Sequence, residues 1–382
     1  MLTIIDANAT PSPSRAYAEA AWRANPSISP SWWRENLGYT HSKLAYDGRA
    51  VRLAPRALEQ GVNLVLATPA TMPQGAPDGV VTLLQSAELH APAEVLLLPT
   101  AGFDDDALLA ALVVLERRVA NGTLQAYGVA DEGLASPRPP RPLHQLLALA
   151  TQAAEQAWGR KKRPSLRVVL APLDVLDWQL LLTPNTRHKD EAVSALELAA
   201  RLGLWVLVAP RVQPTATASA AALAALTTLA EAEARLHQQL RGQWPHVAGQ
   251  PLFSALKLLQ AGHAPWPTPA MASVWRTEVW PQLRQQWALW PEASPLLAQW
   301  QVTLPWVAEL AAAAAAPLAA QAIAQWQLPA PWAALSATLQ QLAVLASVPG
   351  VGAVLTPPTA DIGPLLSLPD YPDVGALLAP VG

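Results

Sequence analysis

The sequence predicts an α/β fold, specifically a (β/α)₈ barrel of the TIM type, and two observations carry that prediction. Eight short apolar runs recur along the chain, and such continuous runs are typical of parallel strands buried on both faces. Helical stretches follow several of them, and eight strands alternating with helices is the count of this barrel. An open doubly wound sheet is disfavoured because no G-x-G-x-x-G follows the first run. The eight runs are residues 37–41, 62–67, 80–85, 94–98, 124–129, 166–171, 204–209 and 352–355.

Three helices between the strands are marked by their ends. Asp104, Asp105 and Asp106 precede a helix predicted over residues 107–121, because acids favour a helix start, and Asn-Gly follows it. The apolar spacing predicts a second helix over residues 143–158. A third is predicted over residues 189–202, where Gly203 would end it.

The connections between strands are uneven in length. Residues 68–79 and 86–93 are shorter than the usual parallel crossover, so the barrel is expected to have shortened crossovers after strands 2 and 3. A large helical insertion is expected between strands 7 and 8. It begins with an alanine-rich helix over residues 219–241, and ten of the sixteen tryptophans lie between Trp244 and Trp332.

These features divide the chain into four parts. Residues 1–36 are predicted to be an irregular N-terminal arm, and residues 37–212 the first seven strands. Residues 213–328 are the Ala/Trp-rich helical insertion, and residues 329–382 supply the last helix and strand with a C-terminal tail.

Composition narrows the function classes. Hydrophobic residues make up 52% of the chain and charged residues 14%, which leaves much of the surface suited to contact with another protein. A net charge of −3 argues against direct binding of nucleic acid. With no cysteine there is no disulfide, thiolate metal site or cysteine nucleophile, and the seven histidines have no metal-binding spacing. We therefore expect no metal.

No segment is predicted to cross a membrane. The most apolar stretch, residues 307–324, owes its length to alanine and contains Glu309, Pro317 and Gln321. The N-terminal residues carry Asp6 and no basic region before their short apolar run, which is unlike a signal peptide.

Four segments, taken in order, resemble the aldo-keto reductases, (β/α)₈ barrels that bind NADPH at the C-terminal mouth. They match that family's second strand, its helix and strand before the nicotinamide contact, its seventh strand and its eighth strand. The resemblance covers residues 37–212 and about 329–371 and leaves the arm and the insertion outside. The segments are GVNLVLATPATM (61–72), ANGTLQAYGVAD (120–131), GLWVLVAPRV (203–212) and PGVGAVLTPP (349–358).

The resemblance also implies where the catalytic residues should be, and they are missing. The family's Asp falls on Leu66, its Tyr on Thr71, its Lys near Gln85, and its His on Pro99, or on Leu98 if the loop is one residue shorter. Carbonyl reduction needs a proton donor, a charged group that lowers the pKa of that donor, and an orienting group. None of these side chains supplies one.

The cofactor positions implied by the resemblance have changed as well. The family's Ser-Asn after strand five becomes Ala130-Asp131, and its Gln on strand six becomes approximately Leu170. No basic residue lies between Gly350 and the C-terminus, where the family holds the adenosine phosphates. We therefore expect no nicotinamide cofactor.

Two clusters have competing interpretations. The tryptophans of the insertion either pack in a core or anchor a protein partner, because Trp is enriched in interfaces. The basic run at residues 160–163 is either a solvated helix end or a docking patch for an acidic partner or nucleic acid. The candidate interface tryptophans are Trp266, Trp275, Trp280, Trp287 and Trp290.

The function predicted from these observations is non-catalytic. The chain is expected to be a pseudoenzyme acting as a structural or interaction subunit of a larger protein assembly. The alternative is a divergent NAD(P)H-dependent oxidoreductase with a relocated active site. By analogy with other repurposed enzyme folds, we expect an intracellular protein, soluble or complex-bound, in a mitochondrial assembly.

Overall fold

The predicted (β/α)₈ barrel is confirmed by a computed structural model, which describes residues 44–47, 64–71, 81–159, 161–243, 280–288, 291–326, 328–356 and 360–368. Eight parallel strands close in the order β1-β10-β9-β6-β5-β4-β3-β2. A separate antiparallel hairpin pairs β7 with β8. The strands are β1 Leu44–Asp47, β2 Leu64–Ala67, β3 Val81–Gln85, β4 Val95–Pro99, β5 Ala126–Ala130, β6 Leu166–Pro172, β7 Thr186–His188, β8 Glu191–Val193, β9 Trp205–Ala209 and β10 Val351–Thr356.

The described residues form two compact units. The helical unit is Arg211–Trp326, and the barrel unit comprises the described residues on either side of it. Helices α1 to α4, α9 and α10 belong to the barrel unit, and α5 to α8 belong to the helical unit. The helices are α1 Asp105–Ala120, α2 Leu143–Trp158, α3 Gln179–Leu182, α4 Ala195–Arg201, α5 Ala220–Gln243, α6 Trp280–Trp287, α7 Ser294–Thr303, α8 Val307–Gln325, α9 Ala337–Ser347 and α10 Gly363–Leu366.

The structure revises one predicted helix, and the first predicted strand falls on residues that it does not describe. Residues 37–41, predicted as the first strand, lie outside the described residues, and the first barrel strand is Leu44–Asp47. The helix predicted over residues 189–202 is only Ala195–Arg201, because the hairpin occupies residues 186–193. Ser194 sets this helix start: its hydroxyl accepts a hydrogen bond from the Glu197 N–H at 3.1 Å.

An apolar cluster fills the interior of the barrel. Alternate residues of each strand point inward, as the period of two requires, and they pack into one cluster. Branched aliphatic side chains fill most of it, and Trp205 fills the part beside β10. The buried members are Ala45, Leu64, Leu66, Val81, Leu83, Val95, Leu97, Ala126, Val168, Leu170, Trp205, Leu207, Ala353 and Leu355.

Gly352 makes room for Trp205 inside this barrel, and we expect Gly352→Ala to lower the free energy of unfolding by about 1–3 kcal/mol. A Cβ placed on Gly352 would overlap the indole ring of Trp205, which is 4% exposed and closely packed. Urea unfolding measures the effect. Gly352→Ala should cost less stability in a Trp205→Leu background than in the parent, because the smaller side chain leaves room for the new Cβ. Full additivity of the two substitutions would show that this packing explanation is wrong.

A buried carboxylate on α1 joins that helix to β5, to the end of α2 and to the residue before β6. Glu116 of α1 has no exposed surface, and its oxygens accept hydrogen bonds from four donors. These are the Tyr127 hydroxyl at 2.9 Å, Trp158 Nε1 at 3.0 Å, and the N–H and hydroxyl of Ser165 at 2.6 and 2.9 Å. Burial, and then the charge of Glu116, raise the pKa of Tyr127 well above its usual value. The hydroxyl therefore stays protonated and donates.

The connection from β3 to β4 contains a turn and no helix over residues 86–94. Arg118 near the end of α1 fixes it instead, because its Nη1 donates to the Leu89 carbonyl at 2.5 Å. After β2, residues 68–71 form a turn, and the rest of that connection lies outside the described residues.

The helical unit has a core of its own. Small and aliphatic side chains of α5 meet α7 and the start of α8, with Leu229, Ala232 and Leu236 buried in one cluster. The amino end of α5 is held by Glu309 of α8, which accepts a hydrogen bond from the Ser219 N–H. Within this unit the continuous helical run Ser294–Gln325 is long and apolar enough to cross a membrane, a test that the core helix of a soluble protein also passes. Length and composition alone therefore fit both a membrane-spanning helix and a core helix.

Candidate functional site

The candidate site is the mouth of the barrel at the carboxyl ends of its strands, because active sites of this fold lie there. Pro99 of β4 pairs with Ala130 of β5, which pairs in turn with Leu170 of β6. Ala209 ends β9, and both alanines pack on the interior cluster. The residues that ring this part of the mouth are therefore short and apolar.

Leu66 lies in the barrel core and not at an open site. It has no exposed surface, pairs with Leu83 of the next strand and belongs to the interior cluster. An aliphatic side chain there can neither pair with a cation nor move a proton. Packing in the barrel core is sufficient to explain why a leucine occupies this position.

Thr71 uses its hydroxyl inside a local turn after β2. The oxygen accepts a hydrogen bond from the Thr68 N–H at 3.0 Å and lies 3.1 Å from the Thr68 hydroxyl. A hydroxyl held in this way stabilises the turn.

Gln85 and Pro99 are partly buried at the carboxyl ends of adjacent strands. Gln85 pairs with Leu97 of β4, two residues before Pro99, so the structure brings these two positions to the same end of the barrel. Leu66 lies deeper, and Thr71 lies in the turn beyond β2. Four positions that the resemblance assigns to catalysis thus carry no ionisable group.

A polar cluster at the mouth was not predicted from the sequence. Asp131, directly after β5, accepts hydrogen bonds from the Thr100 hydroxyl at 2.7 Å and the Gly133 N–H at 2.7 Å. Burial raises the pKa of Asp131, while the hydrogen bonds and the charge of Arg141 oppose that shift. One carboxylate oxygen, Oδ1, caps a turn of 3₁₀ helix, and the other, Oδ2, accepts from Thr100. The arrangement fixes two loops together.

Arg141 and Asn185 tie the neighbouring loops in the same way. Arg141 pairs with Asp105 at 2.5 Å and also donates to the carbonyls of Thr100 and Phe103. The Asn185 amide donates to the carbonyls of Leu134 and Ser136. These bonds connect the loops after β4, β5 and β6. Asp131, Arg141 and Asn185 therefore support the backbone of the mouth through their hydrogen bonds.

A shallow charged groove lies beside the hairpin β7–β8 and is lined by His188, Lys189, Asp190, Glu191 and Arg201. Arg201 lies 2.8 Å from Glu191 and 2.7 Å from Glu197, so one guanidinium serves two carboxylates. Burial, and then the charge of Glu191, raise the pKa of Glu197 to about 7. Among the described residues, no group of acids and histidines is placed to hold a metal ion.

The raised pKa predicts how Glu197→Gln affects stability. Protonation of Glu197 stabilises the fold below the usual glutamate pKa, and that stabilisation is lost as pH rises toward 7. Near pH 5 we expect the variant and the parent to unfold at similar urea concentrations. Between pH 5 and pH 8 the variant should gain about 1–2 kcal/mol relative to the parent, because the parent then carries a buried charge that the ion pair with Arg201 offsets only in part. A difference that does not change with pH would contradict this assignment.

The candidate interface tryptophans are described in part. Trp280 is 6% exposed and packs against Trp300 with ring centroids 5.7 Å apart, so its side chain lies in the core of the helical unit. The Trp280 side chain therefore leaves little exposed surface for a partner. Trp266, Trp275 and Trp290 lie outside the described residues, and only the backbone of Trp287 is described.

Signals for some of these contacts are present in the sequence. The S-x-x-E pattern at Ser194 and Glu197 marks a helix start, and Asp131 before Gly133 marks a capped turn. The partners across loops carry no such signal, since Thr100 and Asp131 are 31 residues apart.

The fold defines this protein as an eight-stranded parallel α/β barrel with a helical unit between its last two barrel strands. Comparison with protein-family models and with curated proteins found no match to the chain.

Proposed function

We propose that this protein is a non-catalytic barrel that resembles the aldo-keto reductases and serves as a structural or interaction subunit of a larger protein assembly. The main support is Leu66, a fully buried aliphatic residue where the resemblance places the acid that tunes the proton donor. Thr71, Gln85 and Pro99 at the other three positions add support, because none can carry a charge or donate a proton near neutral pH.

The mouth of the barrel gives a second line of support. Asp131 and Arg141 are two of the charged side chains that the described loops bring there, and both are bonded within the chain. A site for a dinucleotide needs cations or backbone N–H groups aimed at phosphate. Arg141 is instead paired with Asp105 and two carbonyls. We place the assembly in an organelle, as for other repurposed enzyme folds, and the mitochondrion is the first compartment to examine.

Titration with NADPH tests the loss of cofactor binding. Fluorescence from the sixteen tryptophans should fall with added NADPH only through absorption of light, following the same curve as free N-acetyltryptophanamide measured alongside. Saturable quenching in the micromolar range would contradict the proposal. It would support the divergent oxidoreductase with a relocated site.

A further inference from the structure

Six cations gather at the amino-terminal face of the barrel, opposite the mouth. Arg117 and Arg118 end α1, three more follow α2, and Arg167 lies at the start of β6. Glu116 holds these segments together, because Trp158 at the end of α2 and Ser165 before β6 both donate to it. The basic patch consists of Arg117, Arg118, Lys161, Lys162, Arg163 and Arg167.

The hydrogen bonds described for three arginines of this basic patch go to carbonyl oxygens and not to carboxylates. Arg118 donates to the carbonyls of Leu89 and Thr123, and Arg163 donates to the Leu202 carbonyl at 2.5 Å. Arg167 donates to carbonyls of its own segment. A carbonyl is a dipole and not a counter-charge, so the positive potential of the patch remains.

Nearby acids offset only part of that charge. Glu116 is buried, but its charge still acts on Arg167 and raises the pKa of that guanidinium, against the effect of burial. Three exposed acids lie nearby: Glu88, next to the Leu89 carbonyl that Arg118 contacts, Glu94 before β4, and Glu155 near the end of α2. Burial, and then the charge of Arg163, lower the pKa of Arg167, as expected where cations crowd one another. The patch is therefore a positive region on a chain whose net charge is −3.

We infer that the basic patch binds an acidic segment of a partner protein; this names one contact surface of the subunit and rests on the function proposed above. The ring of Trp158, beside the patch, favours a protein partner over single-stranded nucleic acid. Lys162 lies 3.0 Å above the centre of the Trp158 ring, which covers a face on which a base would stack. A short acidic segment responds to the local potential, whereas a long polyanion is also repelled by the negative remainder of the protein.

Charge-reversal variants test whether binding depends on the basic patch or on the net charge of the whole protein. The test variant is Arg117→Glu with Lys161→Glu, because both side chains are exposed and neither holds another segment. The matched control is Arg138→Glu with Arg187→Glu, which changes the net charge equally at exposed positions after β5 and in β7. If the test variant does not fold, Arg117→Ala with Lys161→Ala replaces it.

Fluorescence anisotropy of a fluorescein-labelled oligoglutamate peptide with the full chain at low salt is the measurement. We expect the test variant to bind about tenfold more weakly and the control to change less than about twofold, with affinity falling as salt rises. Equal losses in both variants, no binding to the parent chain, or affinity independent of salt would overturn the inference. Tighter binding of an oligothymidylate of equal charge would overturn the assignment to an acidic protein segment.

A second readout separates this inference from the proposed function. If the test variant enters the native assembly as well as the parent chain does, the basic patch is not a contact surface, and the proposed function stands. If the parent chain binds NADPH saturably, the proposed function fails whatever the peptide experiment shows.

Discussion

Glu116→Ala should lower the free energy of unfolding by about 3–5 kcal/mol, because it leaves several buried donors without an acceptor. The Tyr127 hydroxyl, Trp158 Nε1 and both donors of Ser165 converge on this carboxylate. Urea unfolding followed by tryptophan fluorescence measures the change.

Two matched variants show which part of the effect comes from the hydrogen bonds. Glu116→Gln keeps the shape but loses the charge and one acceptor oxygen, so its loss should be smaller. Tyr127→Phe removes one donor, and in the Glu116→Ala background it should cost much less than in the parent. Equal costs of Tyr127→Phe in the two backgrounds would contradict the shared network.

Restoring the polar residues that the resemblance implies should destabilise the protein without creating activity. In the triple variant Leu66→Asp, Thr71→Tyr and Gln85→Lys, a carboxyl group enters a core position with no exposed surface. We expect a loss of about 4 kcal/mol or more for Leu66→Asp alone, and a smaller loss for Leu66→Ala, which leaves only a cavity. No NADPH-dependent carbonyl reduction is expected, because the altered cofactor positions remain.

The activity assay of the triple variant has a clear contrary outcome. Turnover of NADPH by this variant would mean that the cofactor still binds at the mouth, and the proposal of a non-catalytic barrel would then be wrong. A Leu66→Asp variant as stable as Leu66→Ala would show that the position is open to solvent, against its burial in the interior cluster.

The strands were predictable because a barrel strand is buried on both faces and therefore reads as a continuous apolar run. The run at residues 166–171, for example, became β6, Leu166–Pro172. Residues 37–41 also look like such a run, and no local feature distinguishes them from the shorter β1, Leu44–Asp47. The length of an apolar run therefore did not identify the first strand.

The hairpin and the polar contacts were missed for a different reason. Residues 186–193 mix charged and small side chains that suit either a helix or a strand, and their contacts with α2 favour the strand: Thr186 accepts a hydrogen bond from the His144 N–H at 3.0 Å. Glu116 reads as an ordinary helix acid, because its partner Ser165 is 49 residues away. Only the closed barrel brings such residues together.

The native mass of the endogenous protein tests the central proposal most directly. On a blue-native gel the chain of 40.6 kDa should migrate in a band much larger than the purified recombinant protein, and denaturation should release it at its own mass. Migration of the endogenous chain together with the purified protein, as a free monomer, would contradict the proposal that it is a subunit of a larger assembly.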